Sequence, residues 1–318
     1  MPAIRPGSKG GVISGWGTAL PEKVLTNHEL AEMMDTSDEW IVTRTGIHER
    51  RIGGTTIGLS VESGRQALEM AGLDPLRVDA LVLATTTPDK QWGNAAAVQN
   101  ELGMRCGAFD VNAACSGFMY GLITGHGLIA MGADRVLVIG TDTLSRITDW
   151  DDRGTAPLFA DGSGAVVLES VEGPGQLLAW DLDADGSLMS ILQAEVGGFV
   201  RMEGKEVFRR AVRIMVDSAE KSMAHAGITA DDVALIVPHQ ANIRIIDAAC
   251  ERLGIPMERA AVVLDRTGNT SSASIPLALA DALDHGRVAN GDLVLLVGFG
   301  GGMTAASCVL RWGGGLDD

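Results

Sequence analysis

Uninterrupted apolar runs bounded by turn residues recur along the chain at residues 80–84, 135–140, 165–168, 234–237 and 293–297, with helical patterns between several of them. Runs that do not alternate mark strands buried on both faces, and strands interleaved with helices define an α/β layered class. A further apolar run ending at Val111 predicts another buried strand. Small residues follow it at once, and then a helix over residues 116–129.

The pattern repeats. Residues 67–82 read ALEMAGLDPLRVDALV and residues 223–236 read MAHAGITADDVALI, each an amphipathic helix, a glycine stop and a buried strand. Glu101-Leu102-Gly103 is echoed by Arg252-Leu253-Gly254, and each predicts a following strand and a small-residue junction, at Cys115 and at residues 268–270. The strand-rich ends correspond as well, residues 161–170 with 301–311. We read a duplicated α/β unit: an N-terminal half over 11–172, a C-terminal half over 173–312, and tails at 1–10 and 313–318. The turn-rich Val-Glu-Gly-Pro-Gly at 171–175 is the expected boundary. A pseudo-twofold axis relating the halves would bring the junctions at Cys115 and Asn269 to one central site.

Composition narrows the class. The chain has 318 residues, 46% of them apolar, with 4% aromatic and 41 glycines, so close backbone packing is favoured over aromatic stacking. No segment reaches the roughly 20 apolar residues that span a bilayer, and residues 1–10 lack the apolar core of a signal peptide. The expectation is a soluble, cytoplasmic protein with no membrane partner. A formal charge of −16 argues against nucleic acid as a partner. Only five of the basic residues are lysines, so an acidic partner would need a local arginine cluster. The four cysteines form no C-x-x-C pair, which argues against zinc and against a disulfide framework. Buried small apolar residues are the ordinary reading for Cys106, Cys250 and Cys308.

Cys115 stands apart. It lies in Asp-Val-Asn-Ala-Ala-Cys-Ser-Gly-Phe, residues 110–118, at a strand-to-helix junction where unpaired N–H groups and the helix dipole would stabilise a thiolate. Val-Pro-His-Gln-Ala-Asn at 237–242 places His239 directly after a buried strand, whereas His28, His48, His126, His225 and His285 read as structural. Asn269 sits in a Gly-Asn turn about thirty residues further on and by itself would be a turn residue. The glycine-rich run 298–303 follows a strand, and serves either as a tight connection or as a row of N–H groups facing a substrate oxygen.

Together these segments resemble the ketosynthase III family, and within it the β-ketoacyl-acyl-carrier-protein synthases III. The resemblance rests on the Cys115 segment, VPHQAN at 237–242, DRTGNTSSASIPLAL at 265–279, GFGGGM at 298–303, TSDEWIVTRTGIHERR at 36–51 and DRGTAPLFADGSGA at 152–165. It runs from about residue 11 to residue 311. It implies the thiolase fold, two similar α/β halves in five layers (αβαβα), and a homodimer. It implies decarboxylative condensation of a short acyl-CoA primer with malonyl-acyl-carrier-protein, the step that initiates fatty-acid synthesis. In that reaction Cys115 carries the acyl group, and backbone N–H groups of Cys115 and Gly301 hold the oxyanion. His239 and Asn269 stabilise the enolate, and Phe299 walls the site. Acyl-CoA is a substrate, and neither a metal nor a redox cofactor is implied.

For CoA the resemblance implies Trp40, Arg44 and Arg153, with Trp40 and Arg153 sandwiching the adenine; a core anchor and an ion pair to Asp151 or Asp152 are the alternatives. An acidic carrier protein would dock on Arg209, Arg213 and Arg244, which are otherwise an ordinary solvated helix face. The chain departs from the family at Trp92-Gly93, where Phe-Pro is common and the aromatic side chain reaches into the partner's acyl pocket. Trp92 therefore points to a short or differently shaped primer. The connection 186–202 is also shorter than in well-known members. A starter-unit ketosynthase of a polyketide pathway, or an acyltransferase to an alcohol or amine, would use the same loaded cysteine. A non-catalytic paralogue would more often have lost it.

Overall fold

Strands form where the apolar runs stand. The computed structural model describes residues 9–313, so most of the two expected tails lies outside the described residues. In chain order the strands are β1 (Gly10–Ala19), β2 (Val24–Thr26), β3 (Glu49–Arg51), β4 (Ala80–Ala84), β5 (Gly107–Val111), β6 (Arg135–Thr143), β7 (Asp161–Val171), β8 (Leu177–Ala184), β9 (Leu192–Ala194), β10 (Val200–Met202), β11 (Val233–Pro238), β12 (Leu293–Gly300) and β13 (Thr304–Arg311). The helices are α1 (Asn27–Met33), α2 (Asp38–Thr45), α3 (Thr56–Met70), α4 (Asn94–Glu101), α5 (Gly117–Ala130), α6 (Gly204–Ala226), α7 (Ile243–Leu253), α8 (Leu264–Thr267) and α9 (Ser274–Asp284). None of the described helices is long and apolar enough to cross a membrane.

Two mixed sheets dominate: one of five strands in the order β1-β7-β6-β4-β5, and one of four in the order β11-β12-β13-β8. Helices α5 and α9 lie between them, touching both sheets. Helices α3 and α4 cover the outer face of the first sheet, and α6, backed by α7, covers the second. The result is the five-layer αβαβα arrangement of the thiolase fold. Its apolar residues fall into matching cores. One, including Phe118, Leu122, Val138, Ile275 and Leu296, fills the space between the sheets, and two more lie beneath the outer helices. Glycines 117, 121 and 125 recur along one stripe of α5; a Cβ at Gly125 would stand 2.9 Å from both Leu168 and Val138. Their absence of side chains lets the central helix sit close on the sheet.

The repeat is visible in three dimensions. Helix α3 ends at the left-handed Gly72 (φ 61°), passes through a short 3-10 turn at Pro75–Arg77 and enters β4. Helix α6 ends at Gly227 (φ 70°), passes through Ala230–Asp232 and enters β11. The second echo breaks after Gly254. The predicted strand there is absent, leaving a 3-10 turn at Met257–Arg259 and an isolated bridge between Ala260 and Ile236. Pro256 supplies no N–H, and the Gln240 side chain takes the N–H groups of Val263 and Leu264 and the Ala261 carbonyl. The backbone is satisfied without a ladder.

A second correction concerns β5. It is an edge strand paired only with β4, and Gly107, Phe109 and Asp110 are exposed where a buried strand was predicted. Apolar content identified the strand, but position in the sheet decided its exposure.

Candidate active site

Cys115, His239 and Asn269 line one cavity of about 870 Å³, together with Phe299, Gly301, Trp40, Arg44 and Arg244 from the sequence-derived set. Cys115 arrives on the turn between β5 and α5, His239 just beyond β11, Asn269 between α8 and α9, and Phe299 and Gly301 at the end of β12. The cavity thus collects the ends of elements from both halves, consistent with ligand sites at strand termini in open α/β sheets.

Backbone strain concentrates around this cavity. Among the described residues the non-glycine positions with positive φ are Ala114 (49°), Ser271 (52°) and Met303 (46°). Ala114 and Ser271 line the cavity, and Met303 stands between the lining residues Gly302 and Thr304. Such conformations each cost about 1–3 kcal/mol and persist where surrounding contacts over-determine them. Those contacts are present. The Thr304 hydroxyl donates to the Ala113 carbonyl at 2.9 Å, tying the Cys115 turn to the glycine-rich turn. Gly300 completes the fit, since a Cβ there would lie 2.6 Å from the Cys115 backbone nitrogen.

Burial outweighs the lowering of the thiol at the helix terminus that the sequence suggested. The N–H groups of Ser116 and Gly117, which would face the sulfur, are spent on the carbonyls of Ala113 and Ala114 at 3.2 and 2.8 Å. Burial pushes the Cys115 thiol up to about 12; the Ser271 hydroxyl and, less strongly, the Cys115 N–H oppose this, and the Asp142 carboxylate adds to it. At neutral pH the resting group is a thiol. Burial also holds His239 down to about 3, so its imidazole is neutral. No thiolate–imidazolium pair forms at rest.

The polarity of the other two groups is set by their partners. His239 Nδ1 lies 2.6 Å from the Ser274 hydroxyl, its ring packs edge-on to Phe299 at 5.4 Å, and Nε2 has no hydrogen-bond partner among the described residues. Asn269 Oδ1 accepts the Ser271 N–H at 2.9 Å, and its Nδ2 is likewise without a partner there. A neutral imidazole nitrogen and a carboxamide N–H₂ are therefore available to the same space.

At the mouth, Trp40 is half-buried and packs partly against the Leu30–Ile41–Ile47 cluster. The guanidiniums of Arg44 and Arg153 stack on its ring, 4.6 and 4.4 Å from the centroid. Arg153 reaches Asp35 at 3.8 Å, not Asp151 or Asp152. Arg244 stacks over Phe208 at 5.5 Å. Lys205, which sequence reasoning missed, also lines the cavity. With Arg44 and Arg244 it makes three cations, and no Asp or Glu lines the same cavity in a chain of charge −16. Its signal was its position on α6 one turn before Arg209.

Arg209 and Arg213 do not line the cavity; they are exposed on α6 and paired with Glu206 at 2.8 Å and Asp217 at 3.5 Å. Trp92 is also outside this cavity and 76% exposed. Of the remaining cysteines, Cys250 and Cys308 are buried and Cys106 is half-buried, packed against the core beneath α3 and α4.

A family model described as 3-oxoacyl-[acyl-carrier-protein (ACP)] synthase III matches residues 109–186, and its C-terminal counterpart matches residues 223–312. A β-ketoacyl-[acyl-carrier-protein] synthase III of Allorhizobium ampelinum is 49% identical over 319 residues, covering 95% of this chain and 99% of the relative. The crystal structure of 3-oxoacyl-[acyl-carrier-protein] synthase III from Aquifex aeolicus superposes with a TM-score of 0.92 at 44% identity, covering 95% of this chain and 100% of that one. The priming β-ketosynthase of the R1128 polyketide pathway superposes at 0.91 with 34% identity, covering 99% and 100%.

Proposed function

The chain belongs to the 3-oxoacyl-[acyl-carrier-protein] synthase III family, and from that premise we propose that it condenses a short acyl-CoA with malonyl-acyl-carrier-protein to start fatty-acid synthesis. The observation that carries this reading is the convergence of Cys115, His239 and Asn269 on one cavity whose Lys, Arg, Asp and Glu lining residues are all cations, Arg44, Lys205 and Arg244. Identity reaches 49% and 44% to two of the synthases III, against 34% to the polyketide priming enzyme, which favours the fatty-acid role.

The acyl group passes first from CoA to Cys115. The carbonyl carbon bonds to Sγ, the bond to the CoA sulfur breaks, and the thiol proton ends on the departing CoA. N–H groups of Cys115 and Gly301 hold the oxygen as it gains charge, an interaction typically worth ~100- to 1000-fold in rate per donor. Malonyl-carrier-protein then loses carbon dioxide beside the apolar Phe299 ring. His239 Nε2 and Asn269 Nδ2 donate to its thioester carbonyl as the enolate forms, and the carbanion attacks the Cys115 thioester. Neutral donors suit this step, because a carboxylate would repel the enolate. No metal or redox group enters the sequence.

CoA phosphates suit Arg44, Lys205 and Arg244. Adenine would enter between Trp40 and the Arg153 guanidinium that now stacks on it, and Arg153 would move outward from its 3.8 Å contact with Asp35. An acidic carrier protein would dock over Arg244 and Lys205. Lys205, Arg209 and Arg213 follow at intervals of four on one face of α6, so the basic stripe leads away from the mouth. Homodimerisation through the open β5 edge would cover Phe109, 40% exposed, and bring Trp92 to a partner.

The test is incubation with a panel of acyl-CoAs, detection of the covalent adduct by mass, and addition of malonyl-carrier-protein. An adduct lost in Cys115→Ala, then carbon dioxide and β-ketoacyl product, is the expected result. An adduct that persists in Cys115→Ala overturns the nucleophile, and an adduct without condensation points to plain acyl transfer.

A further inference from the structure

We propose that the Ser271 hydroxyl is a catalytic hydrogen-bond donor to the Cys115 sulfur, stabilising the thiolate both as it attacks acyl-CoA and as it departs in condensation. The second of those steps rests on the reaction proposed above. Ser271 Oγ lies 3.3 Å from Cys115 Sγ, and the hydroxyl has no other acceptor among the described residues. Of the other groups near the sulfur, the Ser116 and Gly117 amides serve carbonyls, and His239 Nε2, though free, makes no hydrogen bond to Sγ among the described residues, which leaves the Cys115 N–H as the one backbone donor beside Ser271. Of the titratable groups around the sulfur, His239 is neutral and the Asp142 carboxylate disfavours negative charge. A thiolate formed there depends on donors, and Ser271 is the side chain in place.

The placement is enforced from both sides. On one side, Asn269 N donates to the Leu158 carbonyl, Ala160 N donates to the Asn269 carbonyl, and Ser271 N donates to Asn269 Oδ1, all at 2.9 Å. On the other, the N–H and hydroxyl of Ser272 both donate to Asp142 Oδ2, at 3.0 and 2.7 Å. Asp142 is itself fully buried on β6, and its Oδ1 accepts from Thr85, Thr86 and Thr87. Ser271, between these anchors, is held at φ 52°, a left-handed conformation unfavourable for serine that aims its hydroxyl at the sulfur. Asp142 is thus a positioning residue; Ser271 touches the reacting atom.

No proton moves through Ser271. In loading, the Cys115 proton ends on CoA; in condensation, the Cys115 thiolate leaves its acyl carbon and takes a proton from solvent. The serine keeps its own proton and supplies a hydrogen bond that strengthens as charge develops on sulfur. Losing a donor to a charged group lowers the thiolate fraction by about ten- to a hundredfold. The bared sulfur is intrinsically more nucleophilic, so net rates fall less, by about three- to tenfold.

Ser271→Ala removes the hydroxyl and keeps the N–H to Asn269. Ser271→Gly does the same and relieves the left-handed strain, which guards against a folding defect. For both, Cys115 alkylation by iodoacetamide at pH 8, acyl-CoA loading in a single turnover, and condensation from preloaded enzyme are measured. All three should slow by about three- to tenfold with native-like melting. Wild-type alkylation rates in both variants would overturn the assignment. So would a loss confined to condensation, which would place the effect on Asn269. Alkylation needs no acyl-CoA, so wild type that reacts with iodoacetamide but accepts no primer would refute the proposed reaction and leave Ser271 to be judged on the thiol alone.

Discussion

Gly300→Ala tests whether the cavity works through close backbone approach. Gly300 is extended (φ −155°), so alanine is compatible with its backbone and only space is at issue. The new Cβ would stand 2.6 Å from Cys115 N and 2.9 Å from Ala114 Cβ and Thr304 Oγ1, whereas ordinary contact begins at 3.4 Å. The glycine-rich turn and the nucleophile turn must therefore part by about 0.8 Å. Overpacking of this kind costs roughly 1–3 kcal/mol, which a domain stable by about 5–15 kcal/mol tolerates, so the variant should fold. Catalysis should suffer more, because misplacing reacting groups by about 1 Å costs roughly a hundredfold. Single-turnover release of CoA from acyl-CoA, beside a thermal melt, reads both quantities. A variant that melts a few degrees low and loads within threefold of wild type would refute the argument that this approach sets the oxyanion geometry.

Acid should destabilise the protein through His126, which is buried, has no partner at Nε2 and is held down to about 4 by burial. Its folded value lies below the ordinary 6.5, so the unfolded chain binds the proton first; stability is present above about pH 6.5 and falls as pH drops toward 4. The loss between pH 7 and pH 5 is about 2 kcal/mol, and urea unfolding at the two pH values should show that difference shrinking in His126→Leu. For the mouth cations, Arg244→Ala and Lys205→Ala should each raise KM for the carrier-protein substrate severalfold in steady-state assays, while a variant at Arg213, already paired with Asp217, should change it less. Equal effects at all three positions would argue against docking at the cavity mouth.

Much of the fold was legible because it is written locally. Unalternated apolar runs located β4, β6, β7, β11 and β12, and glycines after α3, α4, α6 and α7 marked their ends, each adopting the left-handed cap that other residues resist. The same local signals gave Cys115, His239 and Asn269 as residues ending core elements, and the repeat placed two of them on opposite sides of a shared centre. Where the reading failed, a distant group had intervened. The strand expected after Gly254 was displaced by one glutamine amide from the VPHQAN segment, and β5 was exposed because no strand follows it in the sheet.

The sequence by itself determined the class and the layered order of elements and singled out the candidate chemistry-bearing side chains, since periodicity and turn residues act over a few neighbours. Only the tertiary structure decided how those side chains behave. The state of the Cys115 thiol depends on burial and on amides already spent nearby, not on its place before a helix. The contact from Ser271, 156 positions away, the pairing of Arg153 with Asp35 and the arrival of Lys205 at the mouth are likewise products of the folded chain. Electrostatics and hydrogen bonding act through space, and spatial neighbours 156 positions apart leave no periodic mark in a sequence.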